Sequence, residues 1–129
     1  MKRTIVKSEI NSLLVNLSNH PLSTWTQEQH DAAQVYGDPF DMEFPQVPGN
    51  ASETDISQLV SSYVSRIQQM GSPERVTVHI MGELTFTFAL VLRLKTLGYT
   101  CVASCTERKV EIIGDKKISE FHFTRFRRY

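Results

Sequence analysis

Arg75-Val76-Thr77-Val78-His79-Ile80-Met81-Gly82-Glu83-Leu84-Thr85-Phe86-Thr87-Phe88-Ala89-Leu90-Val91-Leu92-Arg93-Leu94 decides the fold. Residues 75–81 read as a buried strand, Gly82-Glu83 as a turn, and 84–97 as a helix apolar around most of its circumference, stopped by Gly98. A strand that runs straight into a buried helix belongs in a parallel sheet, where ligands bind beyond the carboxyl ends of the strands. The turn at Gly82 would sit at that edge. The helix N-terminus behind it would offer unpaired N–H groups to an anion.

Upstream, Ser52 with Asp55 starts a helix whose apolar residues Ile56, Leu59, Val60, Tyr63, Val64, Ile67 and Met70 form one stripe, ended by Gly71. Phe40-Asp41-Met42-Glu43-Phe44 alternates like a half-exposed strand and is closed by Pro45, Pro48 and Gly49. Thr24, with Gln27 three residues on, caps an expected helix running to Tyr36 and Gly37. Before it, Ile10 to Ser18 reads as a strand ending in the polar turn Ser18-Asn19-His20-Pro21, and the residues preceding Ile10 read as an irregular start. Downstream, Thr100 to Ser104 is a buried strand that runs through Thr106-Glu107-Arg108 into Val110 to Ile113. Gly114-Asp115-Lys116 turns it back into Ile118 to Phe126. The order β-α-β-α-β-α-β-β predicts an α/β fold: a mostly parallel sheet with right-handed crossovers and helices on both faces, a Rossmann-like three-layer sandwich, with a C-terminal hairpin over about 109–129. A length of 129 residues predicts one domain, 1–129.

Net charge is zero, so nothing in bulk composition signals duplex DNA or a membrane surface. The charge is nonetheless uneven. Residues 26–74 hold eight acids against one base, and residues 107–129 seven bases against four acids. Cys101 and Cys105, four residues apart on one strand, would lie about 13 Å from each other at ~3.3 Å per residue. That is beyond bridging distance and fits a reducing, cytoplasmic setting. Lys2, Arg3 and Lys7 are not followed by an apolar run of signal-peptide type, and Arg93 and Lys95 interrupt the best candidate for a membrane span.

No G-x-G-x-x-G or G-x-x-x-x-G-K-[ST] occurs, which argues against the usual dinucleotide and ATP sites, and no cofactor is expected. His20, His30, His79 and His122 are dispersed without metal-ligand spacing, so no metal site is expected. His79, inside a strand, reads as a satisfied core histidine. What remains is three polar strand ends: Ser18, Asn19 and His20; Gly82, Glu83 and Thr85; Thr106, Glu107 and Arg108. If the strands are parallel neighbours, all three meet at one edge. The blander alternative is that each only caps a turn or helix. Phe121-His122-Phe123-Thr124-Arg125-Phe126-Arg127-Arg128-Tyr129 presents no cleanly apolar face. Its Arg125 and Arg127, interleaved with aromatics, suit phosphate contact and base stacking, or else protect an exposed edge strand.

The segments Asn16-Leu17-Ser18-Asn19-His20-Pro21, Met81-Gly82-Glu83-Leu84-Thr85, Ala103-Ser104-Cys105-Thr106-Glu107-Arg108 and Glu120 to Tyr129 resemble the small CRISPR-associated accessory proteins of the Csx group. Those are similar to CRISPR-associated Rossmann-fold (CARF) sensor domains and to ring nucleases. The resemblance spans nearly the whole chain in element order. It implies that the ligand is cyclic oligoadenylate, the second messenger of type III CRISPR immunity, as a ring of four or six adenosines. It further implies a homodimer whose two-fold axis matches the ring, and metal-independent cleavage in which a ribose 2′-hydroxyl attacks its own phosphate. Carried onto this sequence, the N–H groups of Gly82 to Thr85 would hold phosphate, and Ser18 and Asn19 would bind ribose or phosphate. Arg108 would neutralise developing charge, Thr106 and Glu107 would orient the 2′-hydroxyl, and Glu107 or His20 would act as base. Glu83 departs from this pattern, because a carboxylate beside a phosphate site repels it; contact with adenine or ribose suits it better. Three other readings stay open: a binder that sequesters the ring, a nucleoside- or nucleotide-processing enzyme with Glu83 or Glu107 as nucleophile, and a structural subunit with a basic end.

Overall fold

The computed structural model describes residues 11–129. Strand β1 (Leu13–Ser18) is followed by a 3-10 turn (Leu22–Thr24), helix α1 (Gln27–Ala33) and strand β2 (Asp38–Asp41). Helix α2 (Glu53–Met70), strand β3 (Val76–Met81), helix α3 (Leu84–Thr96), strand β4 (Thr100–Ile113) and strand β5 (Lys116–Arg128) complete the chain. The five strands form one sheet in the order β2-β1-β3-β4-β5. Contacts β1–β2, β1–β3 and β3–β4 are parallel, and β4–β5 is antiparallel. The fold is therefore α/β, mostly parallel, with an antiparallel C-terminal strand pair. The start of the expected first strand at Ile10, and the irregular start before it, lie outside the described residues.

Alternation along the buried strands sorts the core in two. Val15, Leu17, Val76, Val78 and Ile80 pack with the α2 stripe (Val60, Tyr63, Val64, Ile67) and with Phe86, Leu90, Val91 and Leu94 of α3. Leu14, Val102, Trp25, Ala33, Phe123 and Phe126 form the second cluster. Helix α2 begins at Ser52 as its sequence dictates, with Ser52 Oγ accepting from Asp55 N and the Asp55 carboxylate accepting from Ser52 N.

Four expectations are corrected. The first helix is capped by Thr26 with Gln29, because Thr24 is drawn into the 3-10 turn, where its N–H and hydroxyl both bond the Pro21 carbonyl. The second strand occupies Asp38–Asp41, earlier than Phe40–Phe44, since Gly37 turns the chain directly into it. Gly37 has φ +141° and sits where a Cβ would lie 2.6 Å from the Ser12 carbonyl oxygen, so only glycine fits there. Helix α3 is not buried all round. Leu84, Phe88 and Leu92, one i, i+4 row, are exposed, Leu84 at 81 %.

The hairpin is longer than 109–129. β4 is one strand of 14 residues, and its pairing with β5 runs from Val102–Arg128 to Ile113–Lys116. Its outer part, from Thr106 to His122, is exposed. The ladder slips between Cys105 and Thr106, leaving Thr124 as an extra residue on β5. This bulge puts Phe123 and Phe126, of opposite parity, into the same core cluster.

Candidate functional site

Three polar residues on neighbouring strands meet in the sheet: Asn16 on β1, His79 on β3 and Ser104 on β4. The register places Asn16 directly beside His79. His79 Nδ1 lies 2.8 Å from Asn16 Oδ1, and His79 Nε2 lies 2.7 Å from Ser104 Oγ. Asn16 and His79 are each 1 % exposed.

The direction of every bond in this chain follows from its far end. Asn16 Nδ2 lies 2.8 Å from the His20 carbonyl oxygen and 2.9 Å from Asp41 Oδ1. Both of those can only accept, so the amide's NH₂ must face them and Oδ1 must face His79. Asn16 Oδ1 also accepts from the Ser18 hydroxyl at 2.8 Å. His79 must therefore carry its proton on Nδ1. In the neutral ring Nε2 is bare, and the Ser104 hydroxyl donates to it. The ring is neutral because burial pushes its pKa down to about 4, with the nearby His20 charge adding to the effect. Trp25 and Phe126 hold it edge-on at 5.4 Å each. Trp25 is itself fixed by its Nε1–H donating to the His20 carbonyl.

Ser104 opens into a cavity of about 390 Å³ at the carboxyl ends of β1 and β3, walled by Trp25, Phe121 and Phe123 and lined also by His20, Thr26, Gln29, Met81 and Thr106. The strand-end groups are thus brought together only in part. His20 and Thr106 share this cavity with Ser104. Ser18 and Asn19 line a second one of about 470 Å³ with Asp41, Glu43 and Phe44, whose acids disfavour a phosphate.

The Gly82 turn does not form a free anion cradle. The Glu83 carboxylate caps its own helix, accepting from Thr85 N at 3.1 Å, Phe86 N at 2.7 Å and the Thr85 hydroxyl. Those bonds hold its pKa below the usual carboxylate range. The Phe44 ring covers Gly82 so closely that a Cβ would overlap it. Thr85 is therefore spent on the cap. Glu107 pairs with His122 on the face opposite Thr106. Arg108 follows Thr106 on the cavity's face, outside its lining, and donates to Ser119 Oγ across the hairpin. Arg125 and Arg127 pair with Cys105 and Ala103 on the face opposite Ser104, so the bulge that brings Phe123 inward leaves both arginines outside the cavity. No Arg or Lys lines the cavity. Among the described residues no group of three His, Cys, Asp or Glu side chains could hold a metal ion, and no helix is long and apolar enough to cross a membrane. Cys101 and Cys105, both on β4, are free thiols, and burial raises that of Cys101 to about 12.

Sequence reasoning missed Asn16 and Ser104 and assigned His79 to the core. The available signal was a polar residue between apolar neighbours, Asn16 and His79 above all; its alignment with Ser104 depends on register. The chain belongs to the family described as the uncharacterized protein MJ1673 family, which matches residues 12–127. Among curated proteins none matches the sequence.

Proposed function

We propose that this protein binds cyclic oligoadenylate and cuts it without a metal ion, as the resemblance to Csx-group proteins implies. One observation carries the reading: the cavity at the carboxyl ends of β1 and β3 combines aromatic walls, Trp25, Phe121 and Phe123, with the hydroxyls of Ser104 and Thr106 and the imidazole of His20. Aromatic faces stack a base whatever its sequence context, and hydroxyls and imidazole suit a ribose and its phosphate. One cavity takes one nucleotide unit. Two chains about a two-fold axis present two such cavities to a symmetric ring. Thr106, expected to orient the 2′-hydroxyl, and His20, expected as a base, both line this cavity, and Arg108, next on the same face as Thr106, supplies the positive charge that the lining lacks. Glu107, on the other face, has no part. In this reading the sheet and helices are a Rossmann-like three-layer sandwich, and the protein works in the cytoplasm to tune type III CRISPR immunity.

Incubation of the pure protein with cyclic tetra-adenylate and cyclic hexa-adenylate in EDTA tests this. Linear products ending in a cyclic 2′,3′-phosphate support it. An intact but tightly bound ring makes the protein a sequestering binder. Failure to bind either ring overturns the reading.

A further inference from the structure

In metal-free cleavage of a phosphodiester by its own 2′-hydroxyl, something must take the attacking proton. Of the two bases expected from the strand ends, Glu107 faces away from the cavity. His20 lines it, but no bond fixes its ring. Among the described residues that line the cavity, Ser104 combines a half-buried hydroxyl in the wall with a buried, oriented acceptor behind it. We propose that Ser104, His79 and Asn16 form a proton relay. Ser104 Oγ takes the proton of the attacking hydroxyl while handing its own to His79 Nε2, and Asn16 locks the imidazole in the required tautomer. This rests on the cleavage reading and names the residues that carry it out.

The atoms balance without a co-reactant. The 2′-O–H bond breaks, and its proton goes to Ser104 Oγ as the Ser104 proton goes to His79 Nε2. The 2′-oxygen bonds to phosphorus and the P–O5′ bond breaks. The leaving 5′-oxygen takes a proton from water at the open cavity mouth, and His79 returns its extra proton to water. Trp25 and Phe126 flank the His79 ring, which lines the cavity beside Ser104. Ser104 touches the ligand in this scheme and is catalytic; His79 and Asn16 act through it.

The arrangement is a hydroxyl–imidazole–amide chain. Its base is weaker than one backed directly by a carboxylate, because the carboxylate, that of Asp41, stands one bond further back, behind Asn16. The titratable groups facing His79 are His20 across the cavity, Asp41 behind Asn16 and His30 on the far side of Trp25. None is a carboxylate in contact with the ring. A neutral His79 therefore persists through the physiological range and is ready to accept.

Two measurements test the relay. Long-range ¹H–¹⁵N NMR on the ligand-free protein at pH 7 should show His79 protonated on Nδ1 and bare at Nε2. The opposite tautomer, or a charged ring, overturns the relay whatever the ligand. With cyclic oligoadenylate, Ser104→Ala should cut turnover by about 10²- to 10⁴-fold and leave ring affinity within about threefold. Native turnover should lose activity only near pH 4, where His79 becomes charged, and that limb should be absent from the residual activity of His79→Gln. A Ser104→Ala protein that cuts the ring at near-native rate overturns the relay and leaves the cleavage reading standing. A native protein that binds the ring without cutting it overturns both.

Discussion

Truncating Asn16 to alanine removes the pivot of the buried polar chain, and the structure allows its cost to be worked out partner by partner. The Asn16 amide is saturated. Its oxygen accepts from His79 Nδ1 and Ser18 Oγ, and its nitrogen donates to the His20 carbonyl and Asp41. Three of these partners keep another bond. The His20 carbonyl retains the Trp25 indole, the Asp41 carboxylate retains the Leu22 N–H, and the Ser18 hydroxyl retains the His20 backbone. His79 Nδ1 keeps nothing, and at 1 % exposure water does not reach it. An orphaned buried polar group costs about 1–3 kcal/mol, and the net loss of the other bonds adds about 1 kcal/mol. Asn16→Ala should therefore lose about 2–4 kcal/mol, which lowers a urea midpoint by about 1–2 M at the slopes usual for small proteins. Ser18→Ala, which leaves His79 satisfied, should cost less than about 1.5 kcal/mol. Equilibrium urea unfolding followed by Trp25 fluorescence reads both. If Asn16→Ala were no more costly than Ser18→Ala, the buried chain would not be held as described.

Acid should weaken the fold through His79. Its folded pKa, about 4, lies below the unfolded 6.5, so between these values the unfolded chain binds more protons. The His79 contribution is therefore fully present above pH 6.5 and is lost as pH falls to 4, up to on the order of 3 kcal/mol, and the difference between native and His79→Gln in urea midpoints across that window reports it. Gly82→Ala should cost about 1–2 kcal/mol by displacing the Phe44 ring, which packs edge-on against Phe86. The same substitution in a Phe44→Ala background should be nearly free, as a double-mutant cycle would show. Gly37→Ala should lose more than about 3 kcal/mol in thermal unfolding, because its Cβ would meet the Ser12–Leu13 backbone, which cannot step aside, at a φ that L-residues avoid.

Periodicity carried most of the architecture. The α2 stripe, its Ser52–Asp55 cap, the 75–81 strand and the hairpin turn are local patterns, and local patterns are legible. The overlapping signals Thr24-x-x-Gln27 and Thr26-x-x-Gln29 compete, and the cap falls to Thr26 because Thr24 bonds back to Pro21. Composition made α3 apolar around most of its circumference but could not say what covers it, and Leu84, Phe88 and Leu92 are exposed. The polar chain was the hardest to see. Asn16 and His79 are 63 residues apart and His79 and Ser104 are 25 apart; only sheet order and register bring them together. The Gly82 turn reads as anion-friendly because a helix start always does, but its own Glu83 fills the amides.

The most direct measurement is the identity of what cyclic tetra- and hexa-adenylate become when incubated with the native protein in EDTA, resolved by mass spectrometry. The account predicts linear oligoadenylate ending in a 2′,3′-cyclic phosphate, produced by native protein and nearly abolished in Ser104→Ala. Recovery of both rings intact, whether bound or free, would contradict it.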